Sequence, residues 1–340
     1  LANDIAGLAV GESCYTHLLD PEANVIDDLM VYHRSFEKYM LVVNAANDWA
    51  WLNAVKNHEV RISNSRPHSW AFGRNVTLRN LRDPQQGSDM RVDIALQGPR
   101  SRDILLALGV DDLNYKKIMA LKRTQLCEAT VGGFDLVVSR TGYTGEKMAF
   151  ELFVHPENAE KLFGKVLEVG ESDGMKPVGL GARDSLRTEA GLPLYGHEMG
   201  VGSGYMEKND LGVSEAGFGR YVKIYKPWFI GREAFLQRDK TRKQAVVRFR
   251  FMEKGIRMAH CGDPVLDKRG LVIGWVTSCA VDQEGLLTGQ AFINKNHSRP
   301  DTPIYVFQGS STKIGSPPAE LLINDKHSIP TMATVVRRFL

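Results

Sequence analysis

The stretch N-V-I-D-D-L-M-V-Y, residues 24–32, sets two carboxylates, Asp27 and Asp28, inside an apolar, β-branched run. Such a run reads as a buried strand. Successive strand side chains point to opposite faces. Val25, Asp27, Leu29 and Val31 therefore share one side, and Ile26, Asp28, Met30 and Tyr32 the other. Each acid keeps apolar company on its own face, where an unaccompanied charge is costly. A fold that accepts this strand must give at least one of them a partner, a ligand or water. An edge position or an arginine partner would also serve, so the strand alone does not separate a structural role from a functional one.

The chain's 340 residues exceed what one ordinary core holds, and two or three subdomains are expected. A hydrophobic content of 43% and a charged content of 24% are those of a globular protein. A net charge of +3 is small for this length and argues against a nucleic-acid or membrane-surface protein. Cys14, Cys127, Cys261 and Cys279 are scattered without a C-x-x-C pair, which fits a reducing compartment, cytoplasmic or mitochondrial matrix, and no structural zinc. No apolar run reaches the roughly 18 residues of a membrane span. The first residue is Leu and no basic-then-apolar leader follows it, as in a processed or truncated product.

Residues 25–32 and 39–44 read as strands joined by a polar hairpin connection, and 46–55 as a helix. Residues 64–90 carry Arg66, Arg74, Arg79 and Arg82 against Asp83 and Asp89 with little periodicity, and read as a long functional or mobile loop. V-D-I-A-L-Q forms a further strand, and I-L-L-A-L-G a short helix with Gly109 just past its end. Residues 134–140 and 149–154 pair around T-G-Y-T-G-E. Residues 156–170 form an amphipathic helix with Leu162, Phe163, Val166 and Leu167 on one face. A-R-D-S-L-R-T-E-A is a helix stopped by Gly191 and Pro193. From about residue 244 short strands alternate with Gly, Asp and Pro, the texture of a separate β-barrel or sandwich.

Four stretches put polar or aromatic groups where a fold alone prefers blander ones. They are the Asp27/Asp28 strand, the turn Arg140–Glu146 presenting Tyr143, Glu151 inside A-F-E-L-F-V, and G-L-G-A-R-D-S-L-R-T-E with Arg183 and Arg187 four apart. Each has a plain alternative: an ion-paired strand acid, an ordinary hairpin turn, ion pairs on a solvated helix face. The dinucleotide fingerprint lacks its third glycine, the histidines lack ligand spacing, and no G-x-S-x-G elbow occurs.

In order along the chain, C-Y-T-H-L-L-D-P-E-A-N-V-I-D-D-L-M-V-Y, Y-M-L-V-V-N-A-A-N, R-T-G-Y-T-G-E, F-E-L, G-L-G-A-R-D-S-L-R-T-E-A-G-L-P-L-Y-G-H-E, Y-K-P-W-F-I-G-R-E-A-F and G-W-V-T-S closely resemble the glycine cleavage system T-protein family of tetrahydrofolate-dependent aminomethyltransferases. The long middle motif is the specific one. The resemblance implies an α+β fold: a clover-leaf arrangement of two interleaved α/β subdomains (residues 1–243) and a C-terminal β-barrel or jelly-roll-like domain (244–340) around a central folate channel. It implies that Asp28 faces the reactive N10 of tetrahydrofolate as the catalytic carboxylate, while Asp27 makes structural bonds. Glu151 matches the glutamate that grips the pterin. Tyr15, Tyr143, Met30 and Tyr32 match channel-lining positions, and Arg183 matches the arginine of the A-R-D motif. The implied reaction moves an aminomethyl group from the lipoyl arm of a carrier protein (H-protein) to tetrahydrofolate with release of ammonia.

Three departures qualify this. L-A-N-D-I resembles a point inside the family's first domain, so a preceding segment that helps line the channel is expected to be missing. Residues 64–90 look like an insertion, and their Trp70 and Phe72 among arginines superficially resemble an RNA-binding surface. S-C-A-V-D-Q-E-G-L-L-T-G-Q-A-F differs from the serine/proline-rich version usual in T-proteins. Demethylating relatives acting on O-, N- or S-methyl donors often carry N-D-P where D-D-L stands here, which favours aminomethyl transfer. Non-enzymatic folate-binding paralogues carry a cysteine motif where W-F-I-G-R-E stands, and are disfavoured.

Overall fold

The computed structural model describes residues 1–44, 48–63, 76–200, 211–308 and 330–339. The chain divides into two compact units, one of residues 1–16 and 28–180, the other of 17–27 and 181–340. The division falls inside two strands, β1 (Ser13–Leu19) and β2 (Val25–Ser35), which form a three-stranded sheet with β3 (Lys38–Val42) in the order β1-β2-β3. β2 runs three residues beyond the expected Tyr32, because the reversal to β3 is a tight one at Phe36 and Glu37, with Glu37 at a positive φ of 59°. Helix α1 (Asp48–Lys56) follows, two residues later than the sequence indicated.

The first unit continues with β4 (Val92–Gln97), α2 (Ser101–Ala107), α3 (Asp112–Ala120), β5 (Leu126–Val131), β6 (Phe134–Ser139), β7 (Ala149–Val154) and α4 (Pro156–Gly170). The four strands make an antiparallel sheet in the order β4-β7-β6-β5. Strand alternation divides its residues between two cores. Leu96, Leu136, Val138, Phe150, Leu152 and Val154 enter one core, together with Ile104 and Leu105 of α2, Ile118 of α3, and Leu162 and Val166 of α4. Val137 and Phe153 face the other way, into a cluster with Tyr32, Met40 and Leu126. Glu151, one register position from Phe153 on that face, stands opposite Ser139 of β6.

Two expectations need correction here. Phe163 is 45% exposed, since the buried stripe of α4 follows Leu162, Val166 and Gly170 at i, i+4 spacing and Phe163 is turned about 100° away from it. The segment 64–90 is no featureless loop throughout: residues 84–89 form a 3-10 turn whose first amide groups are capped by Asp83, and Asp89 pairs with Arg79 and Arg34. Residues 64–75, with Trp70 and Phe72, lie outside the described residues.

The second unit holds α5 (Leu180–Glu189), α6 (Arg232–Thr241) and six strands: β8 (Gln244–Phe251), β9 (Pro264–Leu266), β10 (Val272–Val281), β11 (Leu287–Asn294), β12 (Pro303–Val306) and β13 (Thr331–Val336). These close into a barrel in the order β10-β11-β8-β13-β12-β9, every pairing antiparallel. The barrel begins at Gln244, where the sequence texture changes, and is filled by Val247, Phe249, Phe251, Val265, Val276, Ala291, Ile293, Ile304, Val306, Ala333 and Val335.

Candidate functional site

The even-numbered face of β2 carries Asp28, Met30 and Tyr32 in a row. Asp28 is 7% exposed, and the Tyr15 hydroxyl on β1 donates to its Oδ2 at 2.6 Å. Asn44 donates to the Asp28 carbonyl oxygen at 2.5 Å and ties the exit of β3 back to this point. Asp27, on the opposite face, is completely buried.

Four residues further along, Tyr32 is wholly buried in the cluster with Phe153, the two rings edge-to-face with centroids 5.4 Å apart. Its hydroxyl donates to Glu151 Oε2 at 2.6 Å. The Thr141 hydroxyl donates to the same oxygen. Thr141 also stands 2.8 Å from the Ser139 hydroxyl and 3.3 Å from that of Tyr32. One oxygen of Glu151 is thus held by two neutral hydroxyls. Among the described residues no hydrogen bond reaches Oε1, and the side chain is only half-buried. Burial, then the charge of Glu151, pushes the Tyr32 phenol well above its ordinary range, so it stays a neutral donor.

The turn between β6 and β7 is fixed by Gln97 at the end of β4, whose side-chain carbonyl accepts from the Tyr143 amide at 3.2 Å and the Thr144 hydroxyl at 2.7 Å. Gly142 is needed there for space: a Cβ would stand 2.6 Å from the Ala149 Cβ and 2.8 Å from Gln97 Oε1. Tyr143 is thereby presented half-buried at the tip.

The first unit thus unites Tyr15 with Asp28, and Tyr32 with Glu151, and joins the pairs through β2, whose rise places Tyr32 about 13 Å from Asp28 along the strand. Met30 lies between them and packs partly against the Tyr32 cluster. Arg183 belongs to the second unit, exposed on α5. Its neighbour Arg187 is not on a solvated face, as the plain reading had it. It is 1% exposed, donating to Asp184 at 2.6 Å, to Glu198 at 2.6 Å and to the Ser278 hydroxyl at 2.7 Å. Sequence reasoning missed Thr141, Ser139 and Glu198 as partners. Only the position of Thr141 beside the glycine turn and of Ser139 two residues before it hinted at their use.

The arrangement can receive a ligand with a hydrogen-bond donor edge at Glu151 and an N–H or developing positive charge at Asp28. Among the described residues no group of three His, Cys, Asp or Glu side chains is placed to hold a metal ion, and no helix is long and apolar enough to cross a membrane.

The aminomethyltransferase of Alkaliphilus oremlandii is 37% identical over 283 residues, which cover 82% of this chain and 67% of that protein. The aminomethyltransferase of Caldanaerobacter subterraneus is 39% identical over 261 residues, covering 75% of this chain and 60% of its own length. The crystal structure of glycine cleavage system aminomethyltransferase T from Bartonella henselae superposes with a TM-score of 0.71 at 24% identity, over 98% of this chain and 79% of that one, and shares the fold. The family model described as the GCVT N-terminal domain matches residues 1–226, well over half of the sequence, and the chain belongs to that family.

Proposed function

We propose that the protein is a tetrahydrofolate-dependent aminomethyltransferase, which takes an aminomethyl group from the dihydrolipoyl arm of a carrier protein, releases ammonia and forms methylene-tetrahydrofolate. The observation that carries this reading is Asp28, a carboxylate 7% exposed, hydrogen-bonded by a phenol, in a chain whose relatives bear the name aminomethyltransferase.

Tetrahydrofolate supplies the amine nitrogens that accept the one-carbon unit. The residues fit such a ligand. Glu151 keeps Oε1 for a ligand donor, and Thr141 can turn its hydroxyl to Ser139, freeing a lone pair on Oε2 for a second. A carboxylate with both oxygens so disposed reads an aminopyrimidinone edge. Asp28, shielded from water, holds a nearby N–H strongly and stabilises positive charge as it develops. Tyr15 fixes the orientation of that carboxylate without neutralising it. Met30 and Tyr143 offer a thioether and a ring to flat ligand surfaces. The folate contact of Arg183 is part of the same proposal.

The test is Asp28→Asn, which keeps shape and removes charge. Tetrahydrofolate affinity should stay within a few-fold, while ammonia release from an aminomethyl-loaded lipoyl carrier falls by about 10²–10⁴. Unchanged turnover removes Asp28 from the mechanism. Formation of methyl-tetrahydrofolate from an O-, N- or S-methyl donor, with no ammonia from the carrier, replaces the aminomethyl reading by demethylation.

A further inference from the structure

The hydroxyls around Glu151 are more numerous than a ligand clamp needs. A carboxylate oxygen has two lone pairs. On Oε2 one is filled by the Tyr32 phenol at 2.6 Å and the other by the Thr141 hydroxyl. On Oε1 no hydrogen bond falls among the described residues. A flat ligand edge with two parallel N–H donors needs an acceptor on each oxygen. Such an edge seats fully only if one of the two hydroxyls gives way.

Tyr32 cannot retreat. Its ring is wholly buried and packed edge-to-face on Phe153, so turning the phenol proton away would leave two oxygens facing each other at 2.6 Å. Thr141 can withdraw its oxygen by a turn about a single bond, and other partners stand beside it. Its Oγ1 lies 2.8 Å from the Ser139 hydroxyl and 3.3 Å from that of Tyr32, and either contact can run in either direction. Either turn frees a lone pair on Oε2. With the turn to Tyr32, Ser139 donates to Thr141, Thr141 to Tyr32 and Tyr32 to Glu151, and every hydroxyl proton keeps an acceptor.

We propose that Thr141 is a movable donor that sets ligand specificity at Glu151. It withdraws for an edge with two N–H groups and stays on Oε2 for an edge with one, so that Oε2 keeps two donors in both cases. Thr141 acts through Glu151, as a positioning residue, and makes the clamp tolerant of one-donor ligands. This rests on the tetrahydrofolate reading of the site, whose aminopyrimidinone edge is the two-donor case.

The experiment measures the affinity of the full chain for tetrahydrofolate and for its 2-desamino-2-methyl analogue, which keeps the ring N–H and lacks the amino donor. Wild type is compared with Thr141→Val and Thr141→Ser. Without the Thr141 hydroxyl the analogue leaves Oε2 one donor short, and at a half-buried carboxylate that loss is a factor of about ten. The preference for tetrahydrofolate over the analogue should therefore rise about tenfold in Thr141→Val and return to the wild-type value in Thr141→Ser. An unchanged or lower preference in Thr141→Val, which is what a merely structural threonine gives, overturns the proposal and leaves the folate reading standing. If wild type binds neither ligand, the folate reading falls and the role of Thr141 with it. Should Thr141→Val fail to fold, a crystal structure of the wild type with tetrahydrofolate decides. Thr141 Oγ1 out of hydrogen-bonding distance of Glu151 Oε2 supports the withdrawal, and a retained contact refutes it.

Discussion

Replacing Tyr32 with Phe isolates a single bond of the proposed pterin clamp. The ring stays, with its edge-to-face contact to Phe153, so packing is preserved. What disappears is a 2.6 Å hydrogen bond from a buried phenol to a carboxylate. Bonds to charged acceptors contribute about 1.5–3 kcal/mol. Because Thr141 still donates to the same oxygen and Glu151 is only half-buried, the loss belongs at the lower end, about 1.5 kcal/mol. The same loss of orientation should weaken tetrahydrofolate about tenfold, since 1.4 kcal/mol is a decade in affinity. Urea denaturation of the first unit's signal gives the stability change, and folate fluorescence titration gives the affinity. The pH dependence adds a second handle. The phenol's folded value lies above its unfolded one, so its contribution is complete below about pH 10 and is lost as pH rises further, and wild type but not the variant should show it. A stability loss under about 0.5 kcal/mol together with unchanged folate affinity would refute the clamp.

Two further outcomes follow from other residues. His17 is wholly buried, and burial lowers its imidazole from 6.5 to about 3, so it folds neutral. Its contribution is present above about pH 6.5 and fades as pH falls toward 3, by an order of 3–5 kcal/mol in all, a slope that His17→Phe should flatten in acid-denaturation curves. Gly191→Ala should destabilise by more than about 2 kcal/mol, because φ is +73° there and the new Cβ would collide with the Arg338 backbone; an unfolding midpoint equal to wild type would contradict that packing.

How much of this was legible beforehand depended on whether a residue's role was set by its neighbours in sequence or by distant chain. Glu151 stood out inside A-F-E-L-F-V, and strand alternation alone puts it on the face of Phe153, since β7 divides its apolar residues between two cores. Tyr15 and Asp28 were each named, but their bond joins two strands and no local pattern announces it. Thr141 escaped notice because its value comes from three segments meeting: β2 through Tyr32, β6 through Ser139 and β7 through Glu151. Helix α3 was not expected, and its sequence explains why. Of its apolar residues only Ile118 is buried, while Leu113, Tyr115 and Met119 are exposed, so the helical period is faint. β9 has three residues, and β13 reads as an ordinary Thr/Val run until the barrel needs a strand between β8 and β12. Arg183 and Arg187 share a helical face by spacing, yet only Arg187 is buried, because its acceptor Glu198 arrives from beyond the Gly191 turn.

The acids of the proposed site differ from the buried structural acid Glu198 in the kind of donor that holds them. Glu198 is 0% exposed; burial alone would raise its proton affinity, but Arg187 and two hydroxyls hold it below the ordinary carboxylate range. Its charge is cancelled inside the protein and nothing is left for a ligand. Asp28 and Glu151 are held by a different kind of donor. Each accepts from a phenol, of Tyr15 and Tyr32 respectively. The phenol in each case orients the carboxylate while adding no charge of its own. For a fold alone this is a poor use of burial, since an apolar residue at either position would avoid the cost of desolvating a carboxylate. The proposed site must hold N–H groups and stabilise positive charge appearing on a ligand, and acceptors fixed in place by neutral donors suit that task.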